Sequence, residues 1–423
     1  MINIFFLLIL FSSLLGRIKF PGINIGINYL LLPAFSFGII SLSLKSIPEV
    51  VKKHKVILIS ISLMYLWMWL SSFMSQFPTI AITYSLKYST YYILFFAFLV
   101  LTFKNTKTPS LTFYYRCILY LIQIIAVLGF LEVLLPNYWI FKLLKFPSFY
   151  PEIGSIMQNP NQFGVIVAIG LCLSLILEKQ NKISKIELYV NELIFIISLT
   201  LSGSGNGWLT FMIGMFLLLI YKIISFRKVI YLTSFLFLCI VTIPVSTQKI
   251  GLVDSKIFPL INLFSENSDL VNSNKKTLNT IINTGLSRYE IWQAAINETI
   301  KKPLTGIGIG VFAEQVGIKV WGGKGYHAHN IFLNVSAEQG IPGLLVFTNF
   351  LIKIAFKVKR ADSLVTIPII MFLVSQMLDF FTEDYTFTTI EFYFIAAAIN
   401  YRKDFVMQLK PGIIQNFQKI HES

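Results

Sequence analysis

Gln162-Phe-Gly-Val-Ile-Val-Ala-Ile-Gly-Leu-Cys-Leu-Ser-Leu-Ile-Leu-Glu-Lys179 decides the fold class. The run carries no charge until Glu178 and Lys179 close it. At a helical rise of about 1.5 Å per residue it is long enough to cross the hydrocarbon of a bilayer. Outward in both directions, stretches of the same character recur near 1–16, 24–44, 56–74, 81–103, 113–134, 162–178, 188–203, 207–225, 229–246, 341–357, 363–380 and 386–401. Composition points the same way: of 423 residues, 55% are hydrophobic and 13% charged, with a mean hydropathy of +0.72. Soluble domains carry about a quarter charged residues, and disordered chains hold far less apolar surface, so both classes are excluded. The expectation is an all-α polytopic membrane protein of about twelve transmembrane helices. The first stretch lacks the basic leader and small-residue cleavage site of a signal peptide and is read as a span.

Lysine and arginine mark one set of connections. They are Lys45, Lys52, Lys53 and Lys55; Lys104, Lys107 and Arg116; Lys179, Lys182 and Lys185; Lys222, Arg227 and Lys228; Lys353, Lys357, Lys359 and Arg360; and Arg402, Lys403 and Lys410. The alternate connections 75–80 and 202–206 hold no basic residue, and 381–385 holds Glu383 and Asp384. By the positive-inside rule this alternation places both termini in the cytoplasm. The net charge of +15 is then a signal of topology rather than a footprint for nucleic acid.

The chain divides into spans one to nine (1–246), a long extracytoplasmic loop (247–340), spans ten to twelve (341–401) and a cytoplasmic tail (402–423). Loops longer than about 15 residues are usually functional or disordered. The first part of this one, through Ser265-Glu-Asn-Ser-Asp and Asn272-Ser-Asn-Lys-Lys, reads as solvated; from Ser287 onward it is patterned and expected to hold short helices.

Of the four histidines, His54 and His421 fall on the basic side, in a loop and a tail. His327 and His329 stand in Tyr326-His-Ala-His-Asn-Ile-Phe-Leu, where the long loop returns to the membrane. An imidazole titrates near neutrality and suits proton transfer. Asn330 is placed to cap the helix that follows, whose Ile331, Phe332 and Val335 suit a stripe facing the membrane interface, and Gly340 with Pro342 closes that helix before the next span. Upstream, Ser287 and Glu290 have capping-box spacing, so a helix runs from there to about Lys301, with Ile291, Trp292, Ala295 and Ile296 as its apolar face. Arg288 then lies in the first turn, where a cation is out of place unless an anion joins it. Two readings stand: a phosphate gripped by the guanidinium, or a solvated arginine.

Pro303-Leu-Thr-Gly-Ile-Gly-Ile-Gly-Val-Phe lacks the third glycine of a dinucleotide loop, and no strand–helix unit surrounds it. Gly306, Gly308 and Gly310 are read as a tight bend packed on the membrane domain. Lys87 lies about two turns inside a span and is either functional or snorkelling. Glu132 and Glu391 near span ends suit structural partners, while Asn159 and Asn161 either cap the sixth span or line a polar pocket. Cys117, Cys172 and Cys239 all lie in apolar runs, and His327-Ala-His329 lacks a further nearby His or Cys, so neither a metal nor another cofactor is expected.

Together Gly285-x-x-Arg288-x-x-x-Trp292, Pro303-Leu-Thr-Gly306-x-Gly308, His329-Asn330-x-x-Leu333 and Glu338-x-Gly340-x-x-Gly343 resemble the O-antigen ligase/polymerase superfamily of bacterial envelope glycosyltransferases. Asn159-Pro-Asn161 and the Ser-Gly turn before Trp208 fit as well; the resembling region is about 160–345, most specific over about 285–345. The resemblance implies a GT-C-like enzyme of the bacterial cytoplasmic membrane, active on the external face without nucleotide sugar or metal. The donor would be an undecaprenyl-diphosphate-linked oligosaccharide, and the acceptor a hydroxyl of another glycan, a lipid A core or a protein. It implies His329 as the catalytic histidine and Arg288 as a contact to the diphosphate. Lys87, Asn161, His327 and Asn330 are further candidates for diphosphate or glycan binding. Many members carry an arginine in the turn where this chain has Gly205, a charge that Lys87 would replace. A flippase for the same lipid-linked sugars is the alternative, but transporters gather polar residues near the midplane. Here they gather on one loop and the adjoining span ends.

Overall fold

The computed structural model describes residues 1–15, 26–104, 108–134, 154–157, 159–242, 288–321, 327–358, 361–379 and 384–400. Residues 247–287, including the capping residue Ser287, residues 322–326 of the same loop, and the 402–423 tail lie outside the described residues. Among those described, helices dominate and no strand runs. They are α1 (Ile2–Leu14), α2 (Asn28–Ser41), α3 (Ile47–Phe73), α4 (Pro78–Lys104), α5 (Thr108–Leu134), α6 (Pro160–Lys179), α7 (Lys185–Ser202), α8 (Gly205–Ile220) and α9 (Phe226–Thr242). A loop helix, α10, covers 288–301. Then come α11 (Ile331–Val358), α12 (Ser363–Leu378) and α13 (Tyr385–Asn400). Each apolar stretch of the sequence is occupied by one of these helices, and among the described residues 5 helices are long and apolar enough to cross a membrane.

Helix α6 is the innermost of those five: 94% of its apolar window is buried, against 17% for α11 and 28% for α3. Helices α5, α7, α8 and α12 surround it, whereas α4 and α13 organise a second group with α1, α2, α3 and α11. Helix α12 touches both groups, meeting α6 and α8 on one side and α11 and α13 on the other. Its C-terminal end therefore opens on the seam between them.

Helix ends sort by charge. At one end Lys104 Nζ donates to the Leu42 carbonyl, Lys228 pairs with Glu192 at 2.6 Å, and His54 meets Asn400 at 2.7 Å. At the other, Thr386 Oγ1 donates to the Ser13 carbonyl and Asn161 reaches both Ser204 and Asp379. The lysine-free connections thus share one end. His54 corrects the sequence reading: it is no loop residue. Pro48 at the start of α3 begins that helix well before the hydrophobic stretch, which carries His54 inward to 2% exposure.

Helix α11 is broken. Gly340 takes φ 69° and ψ −175°, dividing a short helix from the long apolar one, as Gly340-Ile-Pro342 suggested. A break strands backbone groups that lipid cannot satisfy. Here the 303–308 segment and α3 satisfy them. Ile307 N–H donates to Ala337 O at 3.0 Å, Gly308 N–H to Glu338 O at 2.9 Å, and Ile341 N–H to Pro303 O at 2.7 Å. Trp67 Nε1 donates to Gln339 O and Ser71 Oγ to Glu338 O. Leaving such groups buried and unpaired costs about 1–3 kcal/mol each, so the strap is a condition of the break. Glycine is required in it: Gly306 has φ 66° and Gly308 φ 103°, and a Cβ on Gly306 would overlap the Glu338 carbonyl.

Candidate active site

The site begins at the N-terminus of α11. Asn330 Oδ1 accepts from Phe332 N–H at 3.0 Å and Leu333 N–H at 3.1 Å, so Asn330 caps the helix as its sequence position implied. Its Nδ2 donates to the Met377 carbonyl, tying the cap to the end of α12. Asn334, one turn on, accepts the Ala328 N–H. Between these anchors His329 is held at φ 49°, a left-handed conformation costing a non-glycine residue roughly 1–3 kcal/mol. Strain of that kind persists only where surrounding contacts enforce it.

The strongest contact is Asp379. Its backbone leaves α12 in an extended conformation, and its side chain is 5% exposed against 16% for His329. Oδ1 accepts from His329 Nδ1 at 2.7 Å and Oδ2 accepts from Asn161 Nδ2 at 2.9 Å. Asn161 Oδ1 in turn accepts from Ser204 Oγ at 2.9 Å, and Ser204 Oγ accepts from Gly207 N–H at 2.8 Å as the N-cap of α8. A chain of bonds thus runs from the cap of α8, through the first turn of α6 and the end of α12, to the histidine. A carboxylate only accepts, so Nδ1 carries a proton, and in the neutral imidazole the lone pair is then on Nε2. Held this way, the ring is set to take a proton at Nε2.

Of the two asparagines left open above, each has one role. Asn159 forms a capping box with Gln162 at the start of α6, while Asn161 faces Asp379. Arg288 is half-buried on the first described turn of α10. That helix buries Ile291 and Ala295 in one cluster with Ala328, the neighbour of His329, and with Ala81, Phe312 and Ala337. Thr299 Oγ1 also donates to Ser336 Oγ of α11 at 3.2 Å. The arginine is therefore one turn from a residue seated in the same cluster as the histidine turn. Trp292 and Ile296, expected on that buried face, are 36% and 45% exposed. Successive helical residues point about 100° apart, which turns these two onto the flank.

Lys87 is 8% exposed on α4, its ammonium 5.5 Å from the Tyr84 ring and 5.6 Å from the Tyr385 ring. Tyr84 lies directly under Gly310 and donates to Glu314. His327 is half-buried two residues before His329. Glu132 accepts the Ser155 N–H and Glu391 accepts from Gln376, both structural partners as expected. The stripe of Ile331 and Val335 is a correction: instead of facing a membrane interface, both are buried against Leu344 and Phe347 and line a cavity, because α11 folds back on itself at Gly340. Among the described residues no three His, Cys, Asp or Glu side chains gather as a metal set.

Asp379 and Ser204 were missed by sequence reasoning. Asp379 is separated from His329 by 50 residues and ends a long apolar stretch, with no spacing motif to announce it. Its one signal was a carboxylate at the lysine-free end of a span.

Comparison with known proteins adds the following. No curated protein matches the chain. Residues 192–348 match the O-antigen ligase family model, a region that takes in the Ser204 turn, the helix of Arg288, the glycine strap and the His329 turn, but not Lys87, Asn161 or Asp379. Over these residues the chain is similar to the O-antigen ligase family, and its long apolar helices fit a membrane protein.

Proposed function

We propose that this enzyme transfers a glycan from an undecaprenyl-diphosphate carrier to an acceptor hydroxyl at the external face of the bacterial cytoplasmic membrane. The observation that carries the reading is the Asp379–His329 pair, held by Asn161 at the end of the bundle shared by the 202–206 turn. His329 Nε2 accepts the proton of the acceptor hydroxyl as its oxygen bonds to the anomeric carbon. The bond from that carbon to the diphosphate oxygen breaks, and the diphosphate leaves with the electron pair. Arg288 stabilises the charge that gathers there, and Lys87 is the second cation of the same end. His327 and Asn330 flank the reacting glycan. The acceptor is the next lipid-linked repeat unit in a polymerase; a lipid A core or a protein hydroxyl makes the same chemistry a ligation.

The accompanying topology is twelve spans with both termini in the cytoplasm, supported by the sorting of basic and lysine-free helix ends. Spans one to nine occupy 1–246, the external loop 247–340, spans ten to twelve 341–401, and a cytoplasmic tail 402–423. The test is incubation of purified protein with a defined undecaprenyl-diphosphate oligosaccharide and analysis of the product. Longer glycan, or glycan moved to an added acceptor, is expected from wild type and lost in His329→Ala and Arg288→Ala. Lipid-linked sugar moved between leaflets with its glycan unchanged would overturn the reading in favour of a flippase.

A further inference from the structure

Beneath the histidine turn lies a cavity of about 310 Å³ between α3, α4, α11, α12 and α13, which the transfer chemistry does not use. Its wall is mostly hydrocarbon and aromatic, with Tyr92, Phe332, Phe347 and Phe392 among the lining side chains. The amides and carboxyls that reach it are Asn334, Glu338, Gln339, Gln376 and Glu391, and among the described residues no lysine, arginine or histidine lines it.

Two of these polar groups are incomplete. Glu391 directs both carboxyl oxygens to Gln376 Nε2, each at 2.7 Å. Gln376 is 2% exposed, and its Oε1 has no hydrogen-bond partner. Asn334 is 0% exposed; its Oδ1 accepts from Ala328 N–H, but its Nδ2 has no acceptor. Gln376 and Asn334 both line the same apolar cavity, and between them one buried acceptor and one buried donor are unpaired, where buried polar groups are ordinarily satisfied.

The ligand that complements this wall is an apolar chain with one group that both donates and accepts. A hydroxyl does both. A phosphate meets two glutamates and no cation; an ammonium donates to Gln376 but leaves Asn334 Nδ2 unmatched. We propose that the cavity binds a long-chain alcohol, its hydroxyl donating to Gln376 Oε1 and accepting from Asn334 Nδ2 while its chain fills the aromatic wall. Prenyl alcohols and acylglycerols share this chemistry. The inference does not depend on the transfer reaction, because its readout is binding.

The test uses the full chain in lipid nanodiscs and equilibrium binding of four labelled probes: a C15 prenyl alcohol, a monoacylglycerol, a chain-matched hydrocarbon and a chain-matched alkyl phosphate. At least one alcohol is expected to bind one per chain, about tenfold or more tighter than hydrocarbon or phosphate. The tighter of the two alcohols identifies the source. Gln376→Met keeps the volume and removes the acceptor, so the alcohol is expected to lose about tenfold while the hydrocarbon does not change. Met64→Trp fills the cavity from α3, away from the polar groups, and is expected to exclude every chain. It stands in should the Gln376 variant not fold. Equal binding of alcohol and hydrocarbon, an unchanged preference in Gln376→Met, alcohol binding undiminished in Met64→Trp, or no bound chain at all (a cavity holding water alone) overturns the proposal.

Discussion

Replacing Asp379 by asparagine tests the site most sharply, because shape is kept and only hydrogen-bond polarity changes. The carboxylate accepts from His329 Nδ1 and from Asn161 Nδ2. An asparagine has one oxygen and one NH2 to offer those two donors. If its oxygen faces His329, the NH2 confronts the Asn161 NH2; if it is flipped, the imidazole proton is driven to Nε2 and the base is lost. The first arrangement forfeits a charge-assisted bond worth about 1.5–3 kcal/mol and leaves a buried donor unpaired at about 1–3 kcal/mol. At about 1.4 kcal/mol per decade, that range corresponds to a fall in kcat of about 10²- to 10⁴-fold. Single-turnover formation of product from preloaded lipid-linked donor is the assay, with donor affinity and thermal midpoint measured on the same preparation. Donor affinity is expected to stay near wild type, while the thermal midpoint falls because the lost bonds are already present in the resting enzyme. A variant working within tenfold of wild type would refute the assignment of Asp379 as the group that orients His329.

Three other substitutions separate the remaining parts of the site. Arg288→Lys keeps the charge but loses the bidentate fork, so kcat is expected to fall about tenfold or more, less than in Arg288→Ala. An equal rate in all three proteins would remove the arginine from the chemistry. Gly205→Arg places a guanidinium beside Ser204; a Cβ there meets nothing within 4 Å, so the thermal midpoint is expected to hold while donor binding tightens and becomes more salt-dependent. Gly306→Ala, at φ 66° against the Glu338 carbonyl, is expected to cost at least about 2 kcal/mol in stability, read as a lowered thermal midpoint.

What was legible in the sequence is what is local. Hydropathy located the helices because each is one continuous stretch. The Asn330 cap and the Gly340 break were legible for the same reason: each depends on a few neighbouring residues. Partners brought together by packing were not. Asp379 meets His329 only because α12 lies between two helix groups, and Asn161 meets Asp379 across 218 residues. The orientation of Ile331 and Val335 depended on whether the chain after Gly340 turns away or folds back, which periodicity does not encode. His54 was misplaced by judging the start of α3 from hydrophobicity, when the helix begins at its polar first turn.

The break in α11 also ties the proposed base and the proposed cation to one frame. Between Lys301, the end of α10, and His329 the chain passes through the 303–308 strap, whose N–H groups are bonded to Ala337 O and Glu338 O. The same strap is clamped from beneath: Ser71 Oγ donates to Thr305 O at 2.6 Å, and Ser75 Oγ donates to Ile307 O. The helix of Arg288 and the helix that follows His329 are thus anchored to one short piece of backbone, which is itself anchored to α3. Were the break healed by a helix-forming residue at Gly340, Ile341 N–H would bond within α11 and the strap would lose its partners. The proposed base and the proposed cation would then shift together. The glycine that looks like a flaw in a membrane helix is therefore what couples the two halves of the site.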